Sequence, residues 1–170
     1  MGRIKINVSK CYDVIVENGA INSVAKYLDD ICDSKRVAII TDDIVASKYG
    51  DIVKKQLNQS GYETSMFVFQ NGEMSKNQYV LFDILNFLVE HKIRRNDTLI
   101  ALGGGVVGDI AGFAAAIYLR GVNIVQIPTT LLAAVDSSVG GKTAIDLENG
   151  KNFENGGAFL RIPKGGCVFW

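Results

Sequence analysis

The sequence of 170 residues balances 18 lysines and arginines against 18 aspartates and glutamates, and 48% of its residues are hydrophobic. This length predicts one domain with a hydrophobic core rather than two ordinary domains, and the apolar content argues against disorder. A chain without basic excess is not expected to bind nucleic acid or an acidic membrane surface. Three cysteines without a CxxC motif, and an N-terminus without an apolar signal-peptide core, predict a cytoplasmic location.

The pattern of hydrophobic residues predicts strands and helices in alternation. Residues that alternate with polar neighbours predict an N-terminal β-hairpin, whereas short continuous apolar runs predict buried parallel strands. The predicted strands are 4–8, 12–16, 36–41, 64–69, 98–102 and 122–127. The predicted helices are 21–31, 44–60, 75–89 and 107–119, and a further helix begins near Pro128. This order predicts an α/β fold with a Rossmann-like, mostly parallel sheet that carries helices on both faces.

Two predicted helices carry end signals. Gly61 lies where a left-handed C-terminal cap is preferred, directly after the helix at 44–60. Ser75, followed three residues later by Gln78, predicts a capping box at the start of the next helix. The helical spacing of that segment predicts a buried face made of Tyr79, Phe82, Leu85, Leu88 and Val89.

The apolar segment 99–119 is long enough to span a bilayer. It contains five glycines and the charged Asp109, which disfavours a lone membrane helix. A buried strand followed by a buried helix has the same apolar pattern. We therefore expect a strand and a helix of the domain core here, and no membrane partner.

The most informative pattern in this segment is Gly103-x-Gly105-x-x-Gly108, placed between a predicted strand and a predicted helix. In that context the backbone can approach a pyrophosphate closely, and the helix N-terminus supplies unpaired N–H groups. A tight turn without a ligand is the alternative. The usual acid about twenty residues downstream is absent, and Asp42 could hold a ribose instead, or could simply cap the following helix.

Three further groups of polar residues are candidates for a binding site. The sequence Gly140-Gly141-Lys142-Thr143 ends like a P-loop, but Asp136 stands where that motif needs a glycine, so we reject this interpretation. Segment 71–76 could contact a ribose and an adenine edge, or form a turn and a helix cap. A cluster of polar residues within a region of low charge density could bind a phosphorylated or carboxylated ligand, or could be a solvated loop. Its members are Arg120, Asp136, Ser137, Ser138, Lys142, Lys151 and Asn152.

Four segments are specific when taken together: 101–114, which contains LGGGVVGDIAGF, 118–121, 127–145, which contains VDSSVGGKT, and 150–152. With them the sequence resembles the N-terminal, nucleotide-binding half of the 3-dehydroquinate synthase family. The resemblance covers about residues 3–152. Within the wider group of sugar-phosphate cyclases, VDSSVGGKT resembles the dehydroquinate branch.

The resemblance implies a role for each matching residue. Asp136, Lys142 and Asn152 would lie at the substrate and the reacting carbon, and Arg120 would reach the substrate phosphate of a neighbouring subunit, which implies a homodimer. Asp42 would hold the adenosine ribose, and Asp109 would face the nicotinamide. The implied cofactor-binding residues are Asp42, Asn71, Gly72, Glu73, Met74, Ser75, Lys76, Gly104, Gly105, Val106, Val107, Gly108, Asp109, Thr129, Thr130, Lys142 and Lys151.

The resemblance also implies a reaction. Its substrate is a sugar-acid phosphate, 3-deoxy-D-arabino-heptulosonate 7-phosphate, and its product is 3-dehydroquinate. NAD transiently oxidises a ring alcohol so that phosphate can be eliminated, and the hydride returns before the ring opens and recloses. A divalent metal, zinc or cobalt, polarises that alcohol.

The end of the sequence departs from the family pattern. Residues 1–152 are predicted to be the NAD-binding domain and 153–170 an atypical tail. The family's second, helical domain, which supplies a glutamate and two histidines to the metal, is missing, and His91 is the single histidine. We therefore expect a truncated or frame-shifted chain without metal ligands and without activity of its own. The alternatives are a non-catalytic NAD-binding remnant and an oxidoreductase like glycerol dehydrogenase.

Overall fold

A computed structural model of the chain describes residues 2–6, 12–30, 32, 34–139, 143–146 and 167–169. In these residues, seven strands form one sheet: β1 (Gly2–Ile6), β2 (Tyr12–Val16), β3 (Arg36–Asp42), β4 (Glu63–Phe69), β5 (Thr98–Gly103), β6 (Asn123–Pro128) and β7 (Cys167–Phe169). Their order across the sheet is β1-β2-β7-β6-β5-β3-β4. Strands β1 and β2 pair antiparallel and the other neighbours pair parallel, so the predicted hairpin and mostly parallel sheet are confirmed.

Helices connect the strands of the parallel part. The α-helices in the described residues are α1 (Val24–Asp29), α2 (Asp43–Val45), α3 (Asp51–Gln59), α4 (Gln78–Glu90) and α5 (Gly105–Ile117). A π-helical segment, Ala46–Gly50, joins α2 to α3, and a second one, Ala133–Ser137, follows β6. Gly61 ends α3 with a φ of 81°, as predicted for a left-handed cap. Among the described helices, none is both long enough and apolar enough to cross a membrane.

The sheet is buried on both faces because helices cover each of them. Val37 and Ile39 of β3 pack with α1 and α3 on one face, while Ala38 and Ile40 pack with α4 and α5 on the other. All four side chains are fully buried. This two-sided burial explains why the strand is a continuous apolar run instead of an alternating pattern. The predicted placement of helices on both faces is confirmed.

The predicted capping box at Ser75 is wrong. Helix α4 begins at Gln78, and the Asn77 side chain caps it by accepting hydrogen bonds from the N–H groups of Tyr79 (2.8 Å) and Val80 (3.0 Å). The Ser75 hydroxyl instead donates to the Gln70 carbonyl within the preceding turn. Serine and asparagine are similarly good cap residues, so the pattern alone could not choose between them.

The predicted buried face of α4 is also largely wrong. Leu81, Ile84 and Leu88 face the core, whereas Tyr79, Phe82 and Val89 are each more than 60% exposed. Both sets of residues recur at helical spacing, since the helix is apolar on most of its circumference. Periodicity therefore predicted the helix but could not determine which side packs against the sheet.

The C-terminal tail takes part in the sheet through its last described residues. Strand β7 lies between β2 and β6 and pairs parallel with both. The predicted boundary between the domain and the tail, at residue 152, lies outside the described residues. That boundary therefore stays a prediction.

The order of the strands creates a switch point between β3 and β5. From β3 the chain moves to β4 at the edge of the sheet, and it then returns past β3 to form β5 and β6. The helices that follow β3 and β5 consequently lie on opposite faces. In open α/β sheets, the crevice outside the carboxyl ends of two such strands is where ligands bind.

The turn from β5 into α5 depends on a glycine at position 103. A Cβ atom there would lie 2.5 Å from Cγ2 and 2.6 Å from Cβ of Val107. Val107 is itself buried in the core on the first turn of α5, so it has little room to move. At Gly104 the nearest atom to an added Cβ would be Thr130 Cγ2, at 3.4 Å, which is an ordinary contact. Only the first of these two glycines is required by packing.

We expect the substitution Gly103→Ala to lower the free energy of unfolding by about 1–3 kcal/mol, because overpacking forces the helix away from the sheet. Gly104→Ala is the matched control and should change this free energy much less. Urea denaturation of the two variants measures the difference. Equal destabilisation by both would show that packing against Val107 is not the cause.

Candidate cofactor-binding site

The candidate site is built on strand ends that lie at one level of the sheet. Thr41 of β3 pairs with Leu102 of β5, so Asp42 ends β3 at the level where Gly103 ends β5. Gly103 in turn pairs with Pro128, at the end of β6. The residues predicted to bind a cofactor after β3, β5 and β6 therefore meet at the carboxyl edge of the sheet.

Helix α5 points its N-terminus at this edge. Its first backbone hydrogen bond runs from the Gly108 N–H to the Gly104 carbonyl, at 3.0 Å. The N–H groups of Gly105, Val106 and Val107 therefore have no acceptor within the helix. Together with the helix dipole they form a suitable site for an anion such as a pyrophosphate.

Two predicted site residues of this helix, Val107 and Gly108, pack against the rest of the domain instead of facing outward. The Val107 side chain is buried in the core. A Cβ at Gly108 would lie 2.8 Å from Gln126 Oε1, so the glycine lets α5 approach β6. Of these two residues, only Val107 offers a group without an acceptor in the helix, its backbone N–H.

The threonine pair after β6 closes one side of the turn. The Thr129 N–H donates to the Gly103 carbonyl at 2.9 Å, which ties the end of β6 to the glycine turn. The Thr130 hydroxyl accepts a hydrogen bond from the Ala133 N–H at 3.2 Å and so caps the helical segment that follows. The predicted helix start after Pro128 is confirmed in outline, with residues 131–137 helical.

Asp42 acts as a helix cap. Its Oδ1 accepts a hydrogen bond from the Val45 N–H at 2.8 Å, and the residue is buried. The cap interpretation of Asp42 is thus confirmed. A carboxylate has a second oxygen and several acceptor positions, so capping leaves acceptor capacity at the edge of the crevice.

The neighbouring Asp43 is not among the predicted site residues, yet it holds part of the site. Its Oδ1 accepts hydrogen bonds from the backbone N–H (3.0 Å) and the side chain (2.9 Å) of Asn71, which holds the loop after β4 against the end of β3. Hydrogen bonds from the Asn71 side chain and backbone lower the pKa of Asp43 from its ordinary value of 3.8. A second acid directly after Asp42 was the available signal for this contact.

The predicted loop 71–76 divides into an exposed and a buried part. Asn71, Gly72, Glu73 and Met74 are exposed at the edge of the crevice. Ser75 and Lys76 are buried. The loop therefore presents its first four residues to solvent and is anchored by the last two.

Lys76 anchors the loop through an ion pair with α5. Its Nζ lies 2.6 Å from Oδ2 of Asp109, and the two side chains are 7% and 18% exposed. Two charges at this depth are stable only as a pair, because each alone would be desolvated without compensation. Two residues that lie 33 positions apart in the sequence, both predicted to contact the cofactor, are thereby brought together.

The Lys76 backbone fixes a second segment. Its carbonyl accepts a hydrogen bond from the Asp146 N–H at 2.7 Å, and Asn77 forms a parallel bridge with Asp146. Segment 143–146 also packs on α5, where a Cβ at Gly112 would lie 2.3 Å from Thr143 Cγ2. The segment next to the predicted substrate residues is thus attached to both the loop and the helix of the site.

The predicted catalytic residues are not brought together in the described part of the chain. Arg120 is exposed and follows α5 at the amino edge of the sheet, opposite the glycine turn. Leu119, Arg120 and Gly121 have successive positive φ angles of 49°, 64° and 105°. Asp136 is exposed in the π-helical segment after β6, and Lys142, Lys151 and Asn152 lie outside the described residues.

The described residues do not provide a metal site. No group of three or more histidine, cysteine, aspartate or glutamate side chains among them is arranged to hold a metal ion. His91 caps the end of α4, and its ring stacks on Phe87 with centroids 4.1 Å apart. This part of the chain therefore shows no arrangement of side chains suited to a divalent metal.

We expect Lys76→Met to lower the free energy of unfolding by about 3 kcal/mol, because the Asp109 carboxylate loses its counter-charge while largely buried. The double variant Lys76→Met/Asp109→Asn removes both charges and should be less destabilised than the sum of the single variants. A double-mutant cycle measured by urea denaturation gives the coupling. Additive effects would mean that the ion pair contributes nothing to the fold.

The Asp43–Asn71 contact predicts a pH-dependent stability. Because the pKa of Asp43 is lowered by folding, its contribution is present above the unfolded value of 3.8 and is lost as the pH falls through the folded value. We expect wild type to be more stable than Asp43→Ala at neutral pH, with the difference shrinking below about pH 4. Thermal unfolding measured between about pH 7 and about pH 3 tests this. A difference that persists unchanged into acid would contradict the assignment.

Comparisons with known proteins agree with this geometry. The family model described as 3-dehydroquinate synthase N-terminal matches residues 66–163. The 3-dehydroquinate synthase of Clostridium acetobutylicum is 48% identical over 141 residues, which are 83% of this chain and 40% of that enzyme. The chain therefore spans about two fifths of the length of such relatives.

Two solved structures extend the likeness. A 2-deoxy-scyllo-inosose synthase complexed with carbaglucose-6-phosphate, NAD+ and Co2+ has a TM-score of 0.85 and 25% identity, covering 98% of this chain and 44% of that one. The 2-epi-5-epi-valiolone synthase ValA from Streptomyces hygroscopicus subsp. jinggangensis 5008, with NAD+ and Zn2+ bound, has a TM-score of 0.81 and 27% identity, covering 99% and 45%. The family model, which matches more than half of the chain, and the shared fold show that this chain belongs to the 3-dehydroquinate synthase family.

Proposed function

We propose that the chain is the NAD-binding half of a 3-dehydroquinate synthase. In its whole form this enzyme would convert 3-deoxy-D-arabino-heptulosonate 7-phosphate to 3-dehydroquinate with loss of phosphate, a step toward aromatic amino acids. The observation that carries the proposal is the meeting of Asp42, the glycine turn and the buried Lys76–Asp109 pair at one edge of the sheet. The three cysteines without a CxxC motif are consistent with a reducing, cytoplasmic location.

The residues of this edge suit the parts of a dinucleotide. The N-terminus of α5 would bind the pyrophosphate through the N–H groups of Gly105, Val106 and Val107. Asp42 would accept hydrogen bonds from the adenosine ribose while it caps α2. The exposed residues of loop 71–76 would border the adenosine, with Asp43 holding Asn71 in place.

The Lys76–Asp109 pair would position the reacting end of the cofactor. When bound, NAD supplies a hydride acceptor that later returns the hydride to the same molecule. Asp109 would hold a fixed negative charge near the nicotinamide, and Lys76 would keep that carboxylate oriented. Thr129 and Thr130 would close the other side of the turn.

The substrate side of the proposal rests on the resemblance. Asp136, Lys142 and Asn152 would bind the sugar-acid phosphate at its reacting carbon, and Lys151 would contact the cofactor. Arg120 lies at the opposite edge from the glycine turn, so it would have to act on the site of a neighbouring subunit. That placement supports the homodimer that the resemblance implies. We propose that the metal of the whole enzyme, zinc or cobalt, is bound by residues outside the described ones.

A non-catalytic NAD-binding protein is the second candidate function. It is favoured by one observation, namely that the described residues provide no group of three potential metal ligands. The two functions share the cofactor site and differ in turnover. An oxidoreductase like glycerol dehydrogenase would instead reduce NAD+ with glycerol.

We expect Asp42→Asn to weaken NAD+ binding about tenfold while leaving stability close to wild type, because asparagine caps helices as well as aspartate does. Asp42→Ala should weaken binding and also lower the free energy of unfolding by about 1 kcal/mol. Isothermal titration with NAD+ and urea denaturation separate the two effects. Asp83→Asn, on the exposed surface of α4, is the control. Unchanged affinity in Asp42→Asn would remove this residue from the cofactor site.

The purified 170-residue chain should form no dehydroquinate from the heptulosonate phosphate in the presence of NAD+ and Zn2+ or Co2+. The assay follows phosphate release and dehydroquinate formation, and a parallel reaction with glycerol follows NADH. Product formation would contradict the expected inactivity, whereas NADH formation from glycerol would favour the dehydrogenase. NAD+ binding without turnover would agree with the proposed half-enzyme.

A further inference from the structure

Two acidic residues follow one another at the end of β3. Asp42 is buried, and its Oδ1 caps the following helix. Asp43 is exposed. Its Oδ1 accepts hydrogen bonds from the N–H of Ile44 (2.9 Å) and from the N–H (3.0 Å) and the side chain (2.9 Å) of Asn71. In the described part of the chain, every hydrogen bond to the Asp43 carboxylate therefore ends on one of its two oxygens.

These contacts hold the Asp43 carboxylate between the ends of two neighbouring strands. Asp42 pairs with Phe69, the last residue of β4, and Asn71 lies two residues beyond Phe69. Asp43 therefore lies between the acid proposed to bind the ribose and the loop proposed to border the adenosine. The hydrogen bonds from Asn71 also lower the pKa of Asp43, so this carboxylate is charged at neutral pH.

The other charged side chains near these strand ends are mostly acidic. Glu73 places a further carboxylate on the exposed loop after β4. Lys76 of the same loop is already paired with Asp109. Lys48, the next basic residue along the chain after β3, lies five residues beyond Asp43, which is roughly 7 Å along a helix axis that leads away from this edge. In these two described segments, carboxylates therefore outnumber the basic groups that are not already paired.

The 2′ position of the adenosine ribose is the ligand group that such carboxylates would distinguish. A 2′-hydroxyl, as in NAD+, donates a hydrogen bond to an acid near the end of a strand, whereas a 2′-phosphate, as in NADP+, is accommodated by an arginine. That phosphate carries a charge of about −1.5 to −2 at pH 7. Carboxylates that repel it would produce specificity by weakening the binding of the wrong ligand.

We propose that Asp43 is a cofactor-specificity residue, whose carboxylate acts together with Asp42 to disfavour dinucleotides that carry a 2′-phosphate. This inference rests on the proposed NAD site and adds to it the class of dinucleotide that the site excludes. Asp43 acts through its charge, so it needs no hydrogen bond to the ribose. Its effect is therefore measured by the ratio of the Kd of NADP+ to the Kd of NAD+, in which any effect common to both ligands cancels.

The test determines this ratio by isothermal titration. The wild-type chain should give a ratio of about 100, or about tenfold for each of the two carboxylates. Asp43→Asn removes the charge but keeps an oxygen that accepts the same N–H groups, and it should lower the ratio about tenfold. Asp83→Asn removes the same charge from the exposed surface of α4 and should leave the ratio unchanged.

A second measurement needs no variant. Because Asp43 is exposed, salt should screen its repulsion of the 2′-phosphate. Raising the ionic strength from about 0.02 M to about 0.5 M should therefore lower the wild-type ratio severalfold. A ratio that does not change with salt would show that the 2′-phosphate is excluded by shape and not by charge, which contradicts the inference.

The remaining outcomes overturn the inference in distinguishable ways. A wild-type ratio near one, or a ratio that Asp43→Asn leaves unchanged, would show that Asp43 does not select the cofactor, although the NAD site stands. An equal fall of the ratio in Asp83→Asn would assign the selectivity to the net charge of the chain and not to the position of Asp43. If the wild-type chain binds neither NAD+ nor NADP+, the proposed cofactor site fails together with the inference.

Discussion

The candidate site depends on the parallel register of β3, β5 and β6. Because Thr41 pairs with Leu102 and Gly103 with Pro128, three strand ends reach the same level of the sheet. A shift of one residue between any two strands would exchange the faces of their side chains and separate Asp42 from the glycine turn. The apolar strands that fill both core layers enforce this register. The packing of the core therefore also fixes the geometry of the site.

The edge so formed lies where the path of the chain reverses between β3 and β5. The two structural devices that hold it together are of different kinds. At the turn, close packing of the backbone against Val107 is decisive, because Gly103 allows α5 to begin directly against the sheet. At the loop, the buried ion pair joins Lys76 to Asp109. A hydrogen bond to the Lys76 carbonyl also attaches segment 143–146 to the loop. The loop, the helix and this segment consequently behave as one unit around the α5 N-terminus.

Much of this arrangement could be predicted from the sequence because it is encoded locally. Continuous apolar runs predicted buried strands such as β3, and the Gly103 motif predicted the tight turn from β5 into α5. The predictions that failed depended on choices between similar signals. At the start of α4, Ser75 and Asn77 are both good caps, and along the helix the buried Leu81 and the exposed Phe82 are both apolar. Contacts such as Lys76–Asp109 and Asp43–Asn71 join residues distant in sequence, and no local pattern reports them.

The connection between α5 and β6 has a consequence for the identity of its residues. Leu119 and Arg120 adopt a left-handed backbone that costs a non-glycine residue about 1 kcal/mol or more, immediately before a glycine that adopts positive φ freely. A glycine or asparagine at either position would relieve this strain. Selection for stability alone would therefore drive this turn toward small, flexible residues. The backbone conformation at this position therefore disfavours arginine. The Arg120 side chain is exposed, and the backbone that carries it has few alternative conformations.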